Sequence, residues 1–249
     1  MELITIIILF TGGLFSGIIN TIAGGGSLIS VPLLIASGLP THLAIGTNRF
    51  AMVFNTGVGA IDYHRKVKYR VELALLLAAF ASLGSYLGAN FVLQIDEEIL
   101  EYIIGILMLI MGGIIVSKKK LGLEERKISL LKRNYILVGI LSFLLGVYGG
   151  FFGAGISTMF TFVFVSFFGM SFIGSAGITR FIVAILSIMA TLVFWINLKI
   201  DFLFGIGLAI SFVVGAKIGV KLALKAGNIW VRRTFILLVV ISSLKLLFF

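Results

Sequence analysis

Apolar residues fill long stretches of this chain, and short polar loops separate them. The stretches recur at about the 20 residues that an α-helix needs to cross a bilayer. They cover 3–23, 27–38, 44–63, 71–93, 98–117, 134–152, 156–169, 175–197, 202–224 and 230–249. Segments 27–38 and 156–169 are too short to cross alone. Each follows a glycine-rich break, Gly24-Gly25-Gly26-Ser27 in one case and Gly153-Ala154-Gly155 in the other. The pattern predicts an all-α polytopic membrane protein in which both breaks make bent, re-entrant helices. Such backbone is tolerated in lipid only where it is buried in protein or lines a wet cavity.

The two halves resemble each other at an offset of 131 residues. In that register Gly38 falls on Gly169, Gly46 on Gly177, Arg49 on Arg180, Phe50 on Phe181, Lys68 on Lys199, Gly84 on Gly215 and Gly88 on Gly219. After a two-residue slip, Gly17 falls on Gly146, Gly24 on Gly153 and Gly26 on Gly155. The expected organisation is a first membrane repeat over 1–117, a basic linker over 118–133 and a second repeat over 134–249. Each repeat holds four to five helical segments.

Charge gives the orientation. Loops 64–70, 118–133 and 225–233 hold 14 of the 20 basic residues. The positive-inside rule places these loops in the cytoplasm and the turn at Asp96, Glu97 and Glu98 outside. Both chain ends then fall outside, and the repeats are inverted about an axis in the membrane plane. Inverted repeats are typical of alternating-access transporters. The first segment lacks a basic region before its apolar run, since Glu2 is the only charge before Arg49. It is therefore expected to belong to the fold and not to be a cleaved signal.

Composition narrows the function classes. The chain is 60% hydrophobic and 12% charged, with a mean hydropathy of +1.20. Soluble domains carry roughly 25% charged residues, so a soluble enzyme is excluded. The net charge of +10 sits mostly in the loops and reports topology, not nucleic-acid binding. There are no cysteines and only two histidines, His42 and His64. Disulfides and thiolate metal sites are excluded, and no metal or cofactor is expected. No Ser/His/Asp set or nucleotide-binding loop is visible, so no catalytic residue is assigned.

Arg49 and Arg180 carry the chief chemical signal. Each lies several residues inside an apolar segment, where a charge costs at least a few kcal/mol unless it is paired or hydrated. With inverted repeats both are expected to point at one central cavity and favour a small anion, to which a guanidinium fork donates paired hydrogen bonds. The alternative is that each arginine satisfies free carbonyls at the breaks, or reaches Asp62 or Asp201. Gly24, Gly25, Gly26 and Ser27, with Gly153 and Gly155, mark helix starts inside the membrane. Their unpaired N–H groups and dipole ends suit an anion. Thr47, Asn48 and Thr179 flank the arginines as uncharged ligands or as interhelical hydrogen bonders. Asn20 and Asn55 carry the same choice with less claim on function. Lys217 is a candidate for an inner vestibule, whereas Lys221 fits snorkelling at the interface. Gly13-x-x-x-Gly17 and Gly84-x-x-x-Gly88 fit close helix packing. Tyr148 and the phenylalanine-rich run 160–168 fit packing or lipid surface.

Taken together, these residues resemble the sulfite exporter TauE/SafE family, also called the four-toluene sulfonate uptake permease family. The first half carries the glycine break, Pro32-Leu33-Leu34, Gly38-Leu39-Pro40 and Ala44-Ile45-Gly46-Thr47-Asn48. In the second half, the run from Gly146 to Gly155, Gly215-Ala216-Lys217-Ile218-Gly219 and Lys245-Leu246-Leu247 are similar to the YfcA-like branch. Val163 stands where the first half has Pro32, and Ile178 where it has Thr47. The resemblance implies a multi-pass permease of a bacterial or archaeal cell membrane. It also implies sulfite, a sulfonate or a related sulfur-containing or organic anion as substrate. By the same resemblance, Gly24 to Ser27 and Gly46 to Arg49 fall in family motifs near the site. The expected function is secondary transport by alternating access at a midplane site, with membrane lipid and the small anion as partners. A passive anion channel is the alternative.

Overall fold

The computed structural model describes residues 3–96, 99 and 132–248. Glu97, Glu98, segment 98–117 apart from Ile99, and the basic linker as far as residue 131 lie outside the described residues. Among the described residues the chain is helical, with no strand. The helices are α1 (Leu3–Ala23), α2 (Ser27–Ala36), α3 (Thr41–Lys66), α4 (Val71–Val92), α5 (Lys132–Phe151), α6 (Ile156–Phe168), α7 (Phe172–Ile196) and α8 (Phe202–Phe248). A non-helical Gly227 breaks α8. The apolar runs set these helices, and the helix ends fall where charge or glycine interrupts them. α3 stops on His64, Arg65 and Lys66, and the charge of Arg65 and Lys66 complements the negative end of the helix dipole.

Three helical stretches, Val71–Val92, Ile173–Ile196 and Phe202–Lys225, are each long and apolar enough to cross a membrane. α2 and α6 have 10 and 13 residues. At 1.5 Å per residue they span about 15 and 20 Å, short of a hydrocarbon core of about 30 Å. α2 doubles back along α1. Gly26 sits against Ser16 and Asn20, and Leu33 sits against Gly12. The Ser16 hydroxyl fastens this return by donating to the Gly26 carbonyl at 2.7 Å.

The remaining helices form two bundles of opposite direction. In the first, α1, α3 and α8 run parallel. Leu14 and Ile18 of α1 meet Gly215 and Gly219 of α8 in order, while Thr47 and Asn55 of α3 meet Asp201 and Phe212. In the second, α4 and α5 run parallel, with Gly84 against Phe143 and Gly88 against Val147. α4 is antiparallel to α3, since the ring of His42 at the start of α3 meets the Val92 carbonyl at the end of α4 at 2.9 Å. α7 is also antiparallel to α3, with Gly46 against Phe194 and Gly177 against Tyr63. Each bundle therefore combines two long helices from one half of the chain with one from the other. The halves exchange α4 and α8.

Small residues make this packing possible. A methyl group on Gly84, Gly88, Gly146 or Gly150 would overlap backbone of the facing helix. Such contacts replace the hydrophobic effect, which gives little drive between helices already in lipid. The surface is correspondingly apolar, with Phe15, Leu83, Phe91, Ile136, Ile140 and Leu203 among the exposed side chains. The interior holds many of the polar ones, including Asn20, Asn48, Arg49, Asn55, Thr179 and Arg180.

One substitution, glycine to alanine, should change sign with position. Gly57→Ala on α3 meets open space and should stabilise by about 0.5–1 kcal/mol. Gly84→Ala strikes the Phe143 carbonyl oxygen and should destabilise by about 1–3 kcal/mol or more. Thermal melting of the detergent-purified protein checks both.

Candidate functional site

Arg49 is the most consequential side chain of the interior. Pro40 fixes the start of α3, and Arg49 follows in its third turn. Its side chain is fully buried, and among the described residues none of its three guanidinium nitrogens has a hydrogen-bond partner. Neighbouring residues hold this orientation. The Asn48 amide donates to the Ser27 hydroxyl at 3.1 Å and accepts from Ser30 at 2.6 Å. The Thr47 hydroxyl accepts from the Asp201 N–H at 2.9 Å, which pins α3 to the start of α8. With both neighbours engaged, Arg49 faces the second glycine break and lies directly against Gly153.

That break is a set of donors. Gly153 and Gly155 adopt left-handed backbone, with φ of 67° and 74°. Among the described residues the backbone N–H groups of Ala154, Gly155 and Ser157 donate to no backbone carbonyl, and the buried Ser157 hydroxyl has no partner either. The Tyr148 hydroxyl secures the loop from behind by donating to the Ala154 carbonyl at 2.6 Å. The site therefore presents one guanidinium, one hydroxyl and the N–H groups of Ala154, Gly155 and Ser157, whereas those of Ile156, Thr158 and Met159 already donate to the carbonyls of Gly153 and Gly155. Asp62 faces Arg65 at 3.6 Å, and the Asp201 carboxylate accepts from Phe204 N–H at 3.0 Å. Neither acid neutralises Arg49. An ion left unpaired in such a place costs several kcal/mol.

Arg180 has a different environment. Its Nη2 donates to the carbonyls of Asn20, at 2.8 Å, and Thr21. Its Nη1 donates to Ala176 at 3.4 Å, and its guanidinium carbon lies 5.4 Å from the Tyr63 ring centre. The stem of Arg180 crosses α3 at Gly59, ten residues beyond Arg49, a rise of about 15 Å. The expected convergence of both arginines on one point is therefore not what the structure shows. Each side chain reaches instead to the break of the opposite half.

The first break is filled by its own chain. The Asn20 carboxamide accepts from Gly26 N–H at 3.4 Å and donates to Asn55 at 2.7 Å. The Asn55 amide donates to the carbonyls of Gly17 and Phe212 at 3.1 and 3.0 Å. Gly24 abuts Ser157, so the two breaks touch. Gly25 and Gly26 are buried beside it. Thr179 lies 3.5 Å from Thr161, hydroxyl to hydroxyl. Lys217 is exposed on the outer face that Val214, Ile218 and Leu222 share, and this places it away from the interior. Ser157 and Tyr148 were not singled out as ligand or support by the sequence pattern. Ser157 had a signal, since it follows Gly155 by two residues as Ser27 follows Gly25. Among the described residues no three histidines, cysteines or acids gather as a metal site would require.

The family model of the sulfite exporter TauE/SafE proteins matches residues 9–246. The chain belongs to the sulfite exporter TauE/SafE family. A probable membrane transporter protein of Haemophilus influenzae is 27% identical, with 97% of this chain and 94% of that protein aligned. The probable membrane transporter protein YfcA of Escherichia coli K12 is 26% identical over 97% of this chain and 89% of its own. The probable membrane transporter protein YdhB of Bacillus subtilis is 24% identical over 99% of this chain and all of its own. No solved structure matches the chain. As a TauE/SafE protein it is a multi-pass membrane protein from a family of transporters, not of enzymes.

The role of Gly153 in this TauE/SafE protein is open to test against Gly38. Both have positive φ, but a methyl group on Gly38 meets nothing, whereas one on Gly153 overlaps the Arg49 guanidinium. Gly38→Ala should cost only the left-handed backbone penalty of about 1–2 kcal/mol. Gly153→Ala should cost more, because its methyl group must also displace the buried Arg49 guanidinium. Thermal melting of the two detergent-purified variants checks the difference.

Proposed function

We propose that this chain is a secondary transporter that carries a small anion by alternating access. The substrate is sulfite, a sulfonate or a related sulfur-containing or organic anion, bound where Arg49 meets the second break. The observation that carries this reading is the Arg49 guanidinium, buried and without a partner. A bound oxyanion supplies the acceptors that the site lacks. It accepts a forked pair of hydrogen bonds from the guanidinium, a third from Ser157 and others from the N–H groups of the break. Charge-assisted hydrogen bonds of this kind are worth roughly 1.5–3 kcal/mol each. The positive end of the α6 dipole adds to them. Gly24, Ser27, Thr47 and Asn48 frame the site, and Thr179 stands on the helix that carries Arg180.

The family's name points to sulfite and to export. Export of a monovalent anion suits an inside-negative membrane, whose potential favours it by about 2.3 kcal/mol per 100 mV. Two opposed bundles with exchanged helices support the inverted-repeat reading. The contacts also correspond at the 131-residue offset, Gly46 on Phe194 answering Gly177 on Tyr63. With the basic loop 64–70 in the cytoplasm, α3 and α8 run inward and α4 and α7 outward. A site between the bundles, where the breaks meet, then lies near the midplane.

The test is Arg49→Met. The substitution removes an unpaired buried charge and keeps most of the volume, so the ligand-free protein should melt no lower than wild type. Sodium sulfite should raise the melting point of the wild type and leave the variant unmoved. Counterflow in proteoliposomes should fall at least about 100-fold, the equivalent of about 3 kcal/mol of lost binding. Trans-stimulated uptake distinguishes this carrier from a channel. A variant that still takes up sulfite at the wild-type rate would remove Arg49 from the site.

The orientation is checked separately. The chain has no cysteine, so a lone cysteine introduced by Lys68→Cys is a clean reporter. A membrane-impermeant maleimide should label it in inside-out vesicles and not in right-side-out ones.

A further inference from the structure

We infer that Arg180 is a positioning residue, a latch that holds the two helix bundles together on the side of the 67–70 loop, and not a substrate ligand. The inference rests on the proposed reading only in taking Arg49 as the anion's guanidinium.

The first ground is the placement of its donors. Arg180 belongs to α7 in one bundle, and its Nη2 is spent on Asn20 and Thr21 of α1 in the other. Those carbonyls lie in the last turn of α1, at the negative end of its dipole; the Asn20 carbonyl also accepts from the Gly24 N–H at 2.8 Å. Tyr63 of α3 converges on the same place. Its hydroxyl donates to the Thr21 carbonyl at 3.2 Å, and its ring packs against the guanidinium. Gly59 gives the arginine stem its passage, since a methyl group there would press on Cδ at 3.3 Å.

The second ground is what surrounds the contact. Tyr63, Ala176, Val220 and Ala223 form one buried cluster drawn from both bundles, with Ile22 and Leu224 packed on it. Tyr69 of the 67–70 loop covers Gly177 and meets the His64 ring at 4.5 Å between centres. Side chains thus close this end of the seam in two layers. Where Arg49 meets the opposite break, the corresponding bond to carbonyls is not made.

The physics of opening follows. Drawing Arg180 off α1 into a dry gap would strand a buried charge at a cost of several kcal/mol. Drawing it off while water enters replaces the carbonyls with solvent at little cost. The contact therefore has two comfortable states, closed and dry or open and wet. A two-state element of this kind can couple the bundles' motion to access from one side.

The experiment reads binding and access in the same detergent-purified protein. Ala176→Cys supplies the only thiol of the chain, set within the cluster beside the latch. Arg180→Lys keeps the charge and loses the fork that spans two carbonyls. Against the Ala176→Cys background, it should speed maleimide labelling at least about tenfold, while the Kd for sodium sulfite stays within about threefold. Arg49→Met should give the reverse, with sulfite binding lost and labelling no faster than in the Ala176→Cys parent. Collapse of the fold would change both readouts in one variant, so the crossed pattern is specific to a latch. Loss of sulfite binding in Arg180→Lys would make Arg180 a ligand and overturn the inference, as would unchanged labelling. Tyr63→Phe, which deletes only the hydroxyl, carries the same test if Arg180→Lys does not fold. A wild type that sulfite does not stabilise would count against the anion reading, while labelling would still decide the latch.

Discussion

An arginine cannot rest in a membrane interior without acceptors, and the two that this chain buries meet that constraint in opposite ways. Arg180 finds carbonyls at the end of α1. Arg49 finds a glycine break whose groups are donors like itself. The second arrangement is unfavourable for an empty protein, and the packing around it does nothing to relieve it. Asn48, Ser27 and Ser30 satisfy one another, and Thr47 is taken by Asp201 N–H. The polar groups nearest Arg49 in sequence are engaged elsewhere. On the reading proposed above, a folded chain that leaves one cation uncompensated while satisfying the groups around it is pre-organised for a ligand of the opposite sign.

Much of the fold was legible because lipid leaves few choices. Backbone polar groups must be satisfied within the segment, so apolar runs gave the described helices to within a few residues, with charged loops and glycine stretches marking their ends. The short segments after Gly26 and Gly155 were recognisable from length alone. Composition could not show that α2 returns along α1, because that depends on Gly12 and Gly26 admitting Leu33 and Ser16 at close range. The exchange of α4 and α8 between the bundles was also hidden. It is written in glycine contacts between residues far apart in the chain, such as Gly84 with Phe143 and Gly215 with Leu14.

The candidate site was legible in kind but not in layout. Repeat symmetry picked out Arg49, Arg180 and both breaks, and it led to the expectation that the arginines are equivalent and convergent. They are equivalent in direction, since each crosses to the other half. They differ in what they meet, and side chains outside the matched positions decide that difference. Asn20 and Ser16 fill the first break, whereas Ser157 leaves its hydroxyl free in the second. A repeat in sequence thus specifies the scaffold, and a few unmatched residues specify which copy of the site remains open.

The single uncompensated charge also bears on how a loaded carrier would move. A monovalent anion on Arg49 makes the site neutral, so bringing it through the seam between the bundles carries little of the desolvation cost that attends a bare ion in low dielectric. An empty site keeps its positive charge and is the harder form to enclose in a dry interior. Where Arg180 holds the seam shut, water is excluded from that end, and the cost of the empty site is greatest while the latch is closed. Binding therefore favours the closed arrangement, and release to water favours the open one. On this reading exchange of one anion for another is easier than return of the empty protein, for a reason that lies in the electrostatics of Arg49 and requires no coupling ion.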